Sequence, residues 1–251
     1  MTSIAVITFS VDRPKLLFNC INSVRCQLGD FQIQHYIFFP KHSKVRTYCK
    51  SDSSLQLIEY DDFNDNHLAR KMALLRQMAL DYIEEDFLCF LDDDNEFSNI
   101  HILSLFNLIQ LHSLEAAHSI RYLVYSDGSL YSGDFFPWHP DSIRATEIYK
   151  WCIHNRVLRV GSPIIYDGVV ISDDPNNFAC VDMNEWLFRT EIIQKIGFDT
   201  KFTKFDEQNM VGEDDKLLSR ILEEGVNFTS SYLPTVKYSL GGFSNMKSTE
   251  I

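Results

Sequence analysis

The chain has 251 residues, 45% of them apolar and 13% aromatic, enough to bury one large core. Its 23 Lys and Arg stand against 35 Asp and Glu, and the net charge of −12 argues against nucleic acid as a partner and leaves any anionic ligand dependent on local cations. No segment reaches the apolar length of a membrane span, no basic leader opens the chain, and the six cysteines form no C-x-x-C pair. The expectation is therefore one reduced, cytoplasmic domain over residues 1–251, without an integral membrane segment and with any membrane association peripheral and through partners.

In chain order, residues 4–9 (IAVITF) read as a strand. Pro14 follows where a first helical turn would begin, and Leu16, Leu17, Cys20, Ile21 and Val24 recur at helical spacing. Residues 35–39 (HYIFF) and 55–60 (LQLIEY) are the next strands. Leu68, Met72, Leu75, Ala79, Tyr82 and Ile83 mark an amphipathic helix over 68–83. Residues 87–91 (FLCFL) are apolar at every position, as in a central strand of a parallel sheet covered on both faces. The order βαββαβα over residues 1–110 predicts an α/β fold. Beyond it, RYLVYSDGSLYSGDFF predicts a hairpin turning at Asp127 and Gly128. Residues 137–177, with four prolines, read as a helix and loops. Short helices over 190–196 and 214–224 are closed by Gly197 and Gly225, and a loose tail starts at residue 244.

The stretch FLDDDNEF (90–97) drives three aspartates into the end of the apolar strand. Because side chains alternate along an extended chain, Asp92 and Asp94 project to one side at the strand's C-terminal end, where open parallel sheets bind ligands. Two carboxylates at i and i+2 can share a hard divalent cation when a substrate's phosphates supply the other oxygens. An acidic turn or helix cap ahead of residues 100–112 is the competing reading, and the pattern alone leaves both open.

A second acidic cluster, GEDD at 212–215, opens the last helix. Leu217, Leu218, Ile221 and Leu222 define an apolar stripe centred near Asp214, with Glu213 and Asp215 on opposite flanks. One acid of the three thus shares the buried direction, where it is placed to serve as a general base. For the other two, favourable placement against the helix dipole suffices. Aromatic residues in FFPWHP (135–140), Trp138 among them, suit either a sugar platform or loop packing. Glu185 and Trp186 are placed to meet an acceptor, with a core role for Trp186 as the alternative. The eight histidines show no zinc-ligand spacing.

Three segments in register resemble the family 2 inverting glycosyltransferases of GT-A fold. IAVITFSVDRPKLLFNCINSV is similar to the family's opening strand, polar loop, R-P pair and helix. ARKMALLRQMALDYIEEDFLCFLDDDNEF follows its helix, basic residue, strand and D-x-D motif. EWLFRTEIIQKIGFDTKF with GEDDKLLSRILEEG resembles its acceptor-side segment and E-D-x-x-L-x-x-R motif.

The resemblance implies a mixed central sheet flanked by helices, with residues 1–110 as the nucleotide-binding half and 111–243 as the acceptor-side half. It implies a metal-dependent hexosyltransferase that moves a sugar, from a UDP-sugar before other nucleotide-diphospho-sugars, to a hydroxyl of a glycan or lipid-linked glycan in surface polysaccharide synthesis. Mn2+ or Mg2+ would be the cofactor. Carried over residue by residue, Thr8, Phe9, Ser10, Arg13 and Arg76 meet the donor, Asp92 faces the nucleoside with Asp93 as the variable middle position, and Asp94 holds the metal. Asp214 is the catalytic base, flanked by Glu213 on the acceptor side together with Glu185 and Trp186.

There are departures from the family pattern. The late histidine of many members is absent from KYSLGGFSN (237–245), which leaves Lys237 or the Gly241 and Gly242 backbone for the phosphates. FFPKHSK replaces the usual acidic segment after the second strand, so Asp61 becomes a substitute for base recognition, in competition with a solvated turn. Two other classes share features of the sequence. A haloacid dehalogenase-like phosphohydrolase also places D-x-D after an apolar strand, but on its first one. A non-catalytic module binding a nucleotide sugar or calcium would have no need of an inward Asp214.

Overall fold

In the computed structural model, which describes residues 1–50, 52–63, 67–169 and 179–241, the apolar opening run becomes β1 (Thr2–Phe9). Pro14 takes the first turn of α1 (Pro14–Arg25), where its missing N–H has no helical partner to lose. Next come β2 (Phe31–Pro40), α2 (Val45–Cys49), β3 (Leu55–Tyr60), α3 (Leu68–Leu80), β4 (Phe87–Phe90), β5 (Glu96–Phe97) and α4 (His101–His112). The second half holds β6 (Ala116–Val124), α5 (Ser142–His154) and the two-residue strands β7 (Ile164–Ile165), β8 (Gly168–Val169) and β9 (Ala179–Cys180). A 3-10 turn (Met183–Glu185), β10 (Trp186–Arg189), α6 (Thr190–Ile196), α7 (Lys204–Gln208), α8 (Glu213–Glu223) and β11 (Phe228–Ser239) complete it.

The main sheet runs β3-β2-β1-β4-β10-β6-β11-β5. β3, β2, β1 and β4 are parallel, β10 is inserted antiparallel between β4 and β6, and β11 lies parallel to β6. The alternation of side chains along β1 sorts the core into two layers. Ala5, Ile7 and Phe9 join Leu88 and Phe90 under α3, α6 and α8, while Ile4 and Val6 join Phe87 and Cys89 against α1 and α4. Both faces of β4 are covered, as its unbroken apolar run predicts.

Several expectations are corrected. α2 and β5 interrupt the βαββαβα order, being too short to carry a period of their own. Leu16, Leu68, Tyr82 and Leu222, counted in apolar stripes, lie at the surface. α3 stops at Leu80, so Tyr82 and Ile83 are not helical. The hairpin at Asp127 and Gly128 keeps its turn, with the Tyr125 N–H donating to the Ser129 carbonyl at 2.8 Å, but its return arm makes only one bridge, Val124 to Leu130. The edge of β6 at Arg121 and Tyr122 is already taken by β7. The expected tail from residue 244 lies outside the described residues.

α6 is fixed to the end of α3 by polar contacts that any substitution at its C-terminus must respect. Gln194 Nε2 donates to the Leu80 and Ile83 carbonyls at 3.0 and 2.9 Å, and the Phe198 N–H donates to Gln77 Oε1 at 2.7 Å. Between them Gly197 adopts φ 63° and ψ 175°, a region open to glycine alone, and a Cβ there would stand 2.8 Å from Gln77 Oε1. Gly197→Ala is expected to lower the unfolding free energy by about 1–3 kcal/mol in urea titrations, with an unchanged denaturant slope.

Candidate active site

The three aspartates lie beyond the end of β4 in a turn closed by the Asn95 N–H donating to the Asp92 carbonyl at 3.0 Å, so the expected strand alternation does not reach them. Asp93 is completely buried, whereas Asp92 and Asp94 are partly open. Asp93 accepts from the Ser10 hydroxyl at 2.9 Å, from the Val11 N–H at 3.1 Å and from Arg13, so it ties the loop after β1 to the end of β4. Arg13 reaches on to Asp94 at 2.6 Å. The Thr8 hydroxyl donates to the Leu91 carbonyl at 2.7 Å and lies 2.9 Å from His35 Nε2, an imidazole that burial holds neutral, its pKa lowered to about 3.

Of the residues expected to meet the donor, Thr8, Phe9, Ser10 and Asp93 are buried: Thr8 is bonded to Leu91 and His35, Ser10 to Asp93, and Phe9 packs on Phe38. The outward part of the loop begins at Val11, and Arg13 is its cation toward the aspartates.

Arg76 lies on the buried face of α3, three residues from both Ala73 and Ala79, where small side chains leave room for its stem. Its side chain is only 4% exposed and passes over the Phe90 ring. One end of the guanidinium stands 3.5 Å from Asp92 Oδ1 and the other pairs with Glu213. The first turn of α8 is thereby drawn to the end of β4. Glu213, rather than Asp214, makes the buried contact of that turn, because Arg76 offers it a partner. Asp215 caps the helix start by accepting from the Gly212 N–H at 2.7 Å, in the first turn where dipole placement favours an acid. Asp214 packs so closely on Gly212 that no Cβ would fit there, and its charge is felt at Asp167 and Glu185 as well as at its neighbours.

On the other flank, a group that sequence reasoning missed holds Asp92. Asn184 Oδ1 accepts from the Asp92 N–H at 2.6 Å, and Asn184 Nδ2 donates to Asp92 Oδ2 at 3.0 Å and to Asp182 Oδ1 at 2.6 Å. Asp182 is paired in turn with Arg121 at 2.7 Å, and the same guanidinium meets Asp167 at 3.0 Å and Glu185 at 3.8 Å. Arg121 packs against the rings of Trp138 and Tyr238, 5.2 and 5.1 Å from their centroids, and the two rings meet edge to face. The signal available was an arginine, a histidine and a serine inside the strand AAHSIRYLV, whose other residues are apolar or aromatic.

Glu185 and Trp186, expected on the acceptor side, are both buried. Glu185 is fully buried beside Arg121, with burial and the Asp167 charge raising its pKa well above the usual carboxylate range. Trp186 is 1% exposed and stacked on Phe188. The Trp138 ring is spent on Arg121. Asp61 is 85% exposed and paired with Lys41 at 2.6 Å, a solvated turn at the rim of the sheet. Lys237 is held by Glu96 at 2.8 Å, and Gly242 lies outside the described residues.

No family model and no curated protein matches the sequence. Solved structures do match the fold. S. aureus TarS residues 1–349 in complex with UDP-GlcNAc has a TM-score of 0.56 at 15% identity, covering 100% of this chain and 62% of that one. The mannosyltransferase PcManGT from Pyrobaculum calidifontis, in complex with GDP-Man and Mn2+, has a TM-score of 0.57 at 11% identity, covering 96% and 58%. The chain has the GT-A fold. It spans about three-fifths of the length of these structures, and no helix among its described residues is long and apolar enough to cross a membrane.

Among the described residues no cluster of three or more His, Cys, Asp or Glu forms a ready metal cage. The donor set at β4 nonetheless suits a hard divalent ion. Asp94 is pushed up to about 6, first by burial and then by the Asp92 charge, with Arg13 only partly opposing. Asp94 and Asp92 would supply carboxylate oxygens to such an ion, which can complete its shell from phosphate and water.

The guanidiniums of Arg13, Arg76 and Arg121 serve more carboxylates than they can neutralise, and the excess is visible in α8. Burial, followed by the Asp214 charge, raises Asp215 to about 7. A carboxyl whose folded pKa lies above its unfolded value of about 4 holds a proton that the unfolded chain has lost, so its stabilisation is present in acid and disappears as pH rises through about 7. Asp215→Asn keeps a capping oxygen and removes this dependence. Relative to the native chain, the variant is expected to gain on the order of 1 kcal/mol in unfolding free energy between pH 5 and pH 8. Parallel curves at the two pH values would contradict the assignment.

Proposed function

We propose that the chain is a metal-dependent inverting glycosyltransferase, of family 2 type, that transfers a hexosyl group from a nucleotide-diphospho-sugar to an acceptor hydroxyl. UDP-sugars are the first candidates as donor, and a glycan or lipid-linked glycan as acceptor. The reading is supported above all by the Asp92–Arg76–Glu213 bridge, which brings the carboxylates at the end of β4 and the acid-rich turn of α8 to one place on a fold shared with proteins solved with nucleotide sugars.

In this reading Asp214 accepts the proton of the acceptor hydroxyl as its oxygen attacks the anomeric carbon, and the bond from that carbon to the nucleoside diphosphate breaks on the opposite face. One displacement inverts the centre. Asp214 suits the part because Glu213 and Asp215 are occupied by Arg76 and the helix cap. Asp92, restrained by Arg76 and Asn184, would face the nucleoside. Asp94, with Asp92 beside it, would hold Mn2+ or Mg2+, which supplies charge neutralisation for a leaving diphosphate. Arg13 adds a fixed cation next to Asp94.

The test is incubation with a panel of UDP- and GDP-sugars and a divalent ion, followed by measurement of nucleoside diphosphate release. Asp214→Asn is expected to lower turnover at least about 100-fold while donor affinity stays within a few-fold. Asp94→Ala is expected to weaken metal-dependent donor binding about tenfold or more. A panel that gives neither release nor thermal stabilisation sinks the proposal, and near-native turnover of Asp214→Asn removes it as the base.

A further inference from the structure

We infer that Asn184 is a positioning residue for donor binding, mounting Asp92 on the buried Arg121 cluster; this rests on the reading of the β4 end as a nucleotide-sugar site. The geometry is specific to an amide. Asn184 uses its carbonyl oxygen on the Asp92 N–H at 2.6 Å and its NH2 on Asp92 Oδ2 at 3.0 Å, so the backbone and side chain of one aspartate are gripped by one side chain. No other residue type of this size both accepts and donates in that arrangement.

The amide is itself fixed. Asp182 Oδ1 accepts from both the backbone N–H and Nδ2 of Asn184, at 3.0 and 2.6 Å, which settles the orientation of the amide. Asp182 Oδ2 is anchored by Arg121, whose side chain is 6% exposed and packs against the Trp138 and Tyr238 rings. The chain of contacts runs from this buried arginine to the first aspartate of the donor site. Arg76 grips the other oxygen of Asp92 from α3. With both oxygens and the N–H restrained, Asp92 has one orientation available before any ligand arrives, and a preorganised carboxylate spends no binding energy on being ordered.

A buried polar residue whose only task was to hold the fold would give a different result from a mount. Its loss would cost stability, and nucleotide affinity would follow only as far as unfolding did. Asn184→Asp keeps the size of the side chain and replaces the donating NH2 by an oxygen that faces Asp92 and Asp182. Asp182→Asn leaves Asn184 in place and weakens its anchorage to Arg121.

The experiment is calorimetric titration of the full chain and both variants with UDP and with GDP, each with Mn2+, at a temperature well below every unfolding midpoint, with circular dichroism confirming the folded state. For the nucleotide the native chain binds, Asn184→Asp is expected to raise Kd about tenfold or more and Asp182→Asn about threefold, in proteins that remain folded. With the nucleotide sugar varied at saturating acceptor, the donor KM should rise while kcat changes less than about threefold. If the native chain binds a nucleotide and both folded variants bind it within twofold of native, the mount is overturned and the glycosyltransferase reading stands. If the native chain binds neither UDP nor GDP, that reading falls and the mount falls with it. Should Asn184→Asp not fold, Asp182→Asn decides alone by the same criterion.

Discussion

A single buried guanidinium, that of Arg76, joins the two parts of the molecule that carry its acids. It lies on the inner face of α3, passes over Phe90 and spans from Asp92 at the end of β4 to Glu213 at the start of α8. Removing one partner of such a buried pair leaves an uncompensated charge, typically at a cost of about 3–5 kcal/mol, so the constraint is strong in both directions. The sheet brings β4 to the centre and covers both its faces. Arg76 then decides which helix turn stands over its end.

Around this pair the site is built with more carboxylates than cations. Arg13 takes Asp93 and Asp94, Arg76 takes Asp92 and Glu213, and Arg121 gathers Asp182, Asp167 and Glu185. Burial pushes Asp94 and Glu213 upward, and Asp215 with them, each helped by a neighbouring carboxylate. A cation bound beside Asp94 would relieve the repulsion from Asp92. This is the electrostatic condition under which a metal-bridged diphosphate binds well, and it arises here from the spacing of strands and helices rather than from any one motif.

The parts of this arrangement that depend on local physics were legible in the residues. The all-apolar FLCFL reads as a strand covered on two sides, and Gly197 and Gly225 follow α6 and α8 with positive φ. The strand alternation expected for Asp92 and Asp94 gives way to a turn closed by Asn95. What depends on distant partners was not. A helical wheel centred the buried stripe of α8 on Asp214, but the inward contact of the first turn belongs to Glu213, because Arg76 reaches it from 137 residues away. Thr8 and Ser10 look like exposed loop-end hydroxyls and are consumed by Leu91 and Asp93. Arg121 sits in β6 with no local sign of the acids that surround it, and Asn184 lies in a 3-10 turn too short to register as an element. β10, four residues inserted antiparallel at the centre of the sheet, is likewise set by its neighbours and not by its own pattern.

The central claim is that the ends of β4 and α8 form one site, with Asp92 and Asp94 on the donor side and Asp214 facing the transferred sugar. A crystal structure of the chain with Mn2+ and an unreactive UDP-sugar analogue tests it most directly. The account predicts the ion on Asp94, the nucleoside beside Asp92, and the anomeric carbon in the space between Asp94 and Asp214. An analogue bound elsewhere on the molecule, or one whose sugar points away from Asp214, would contradict it.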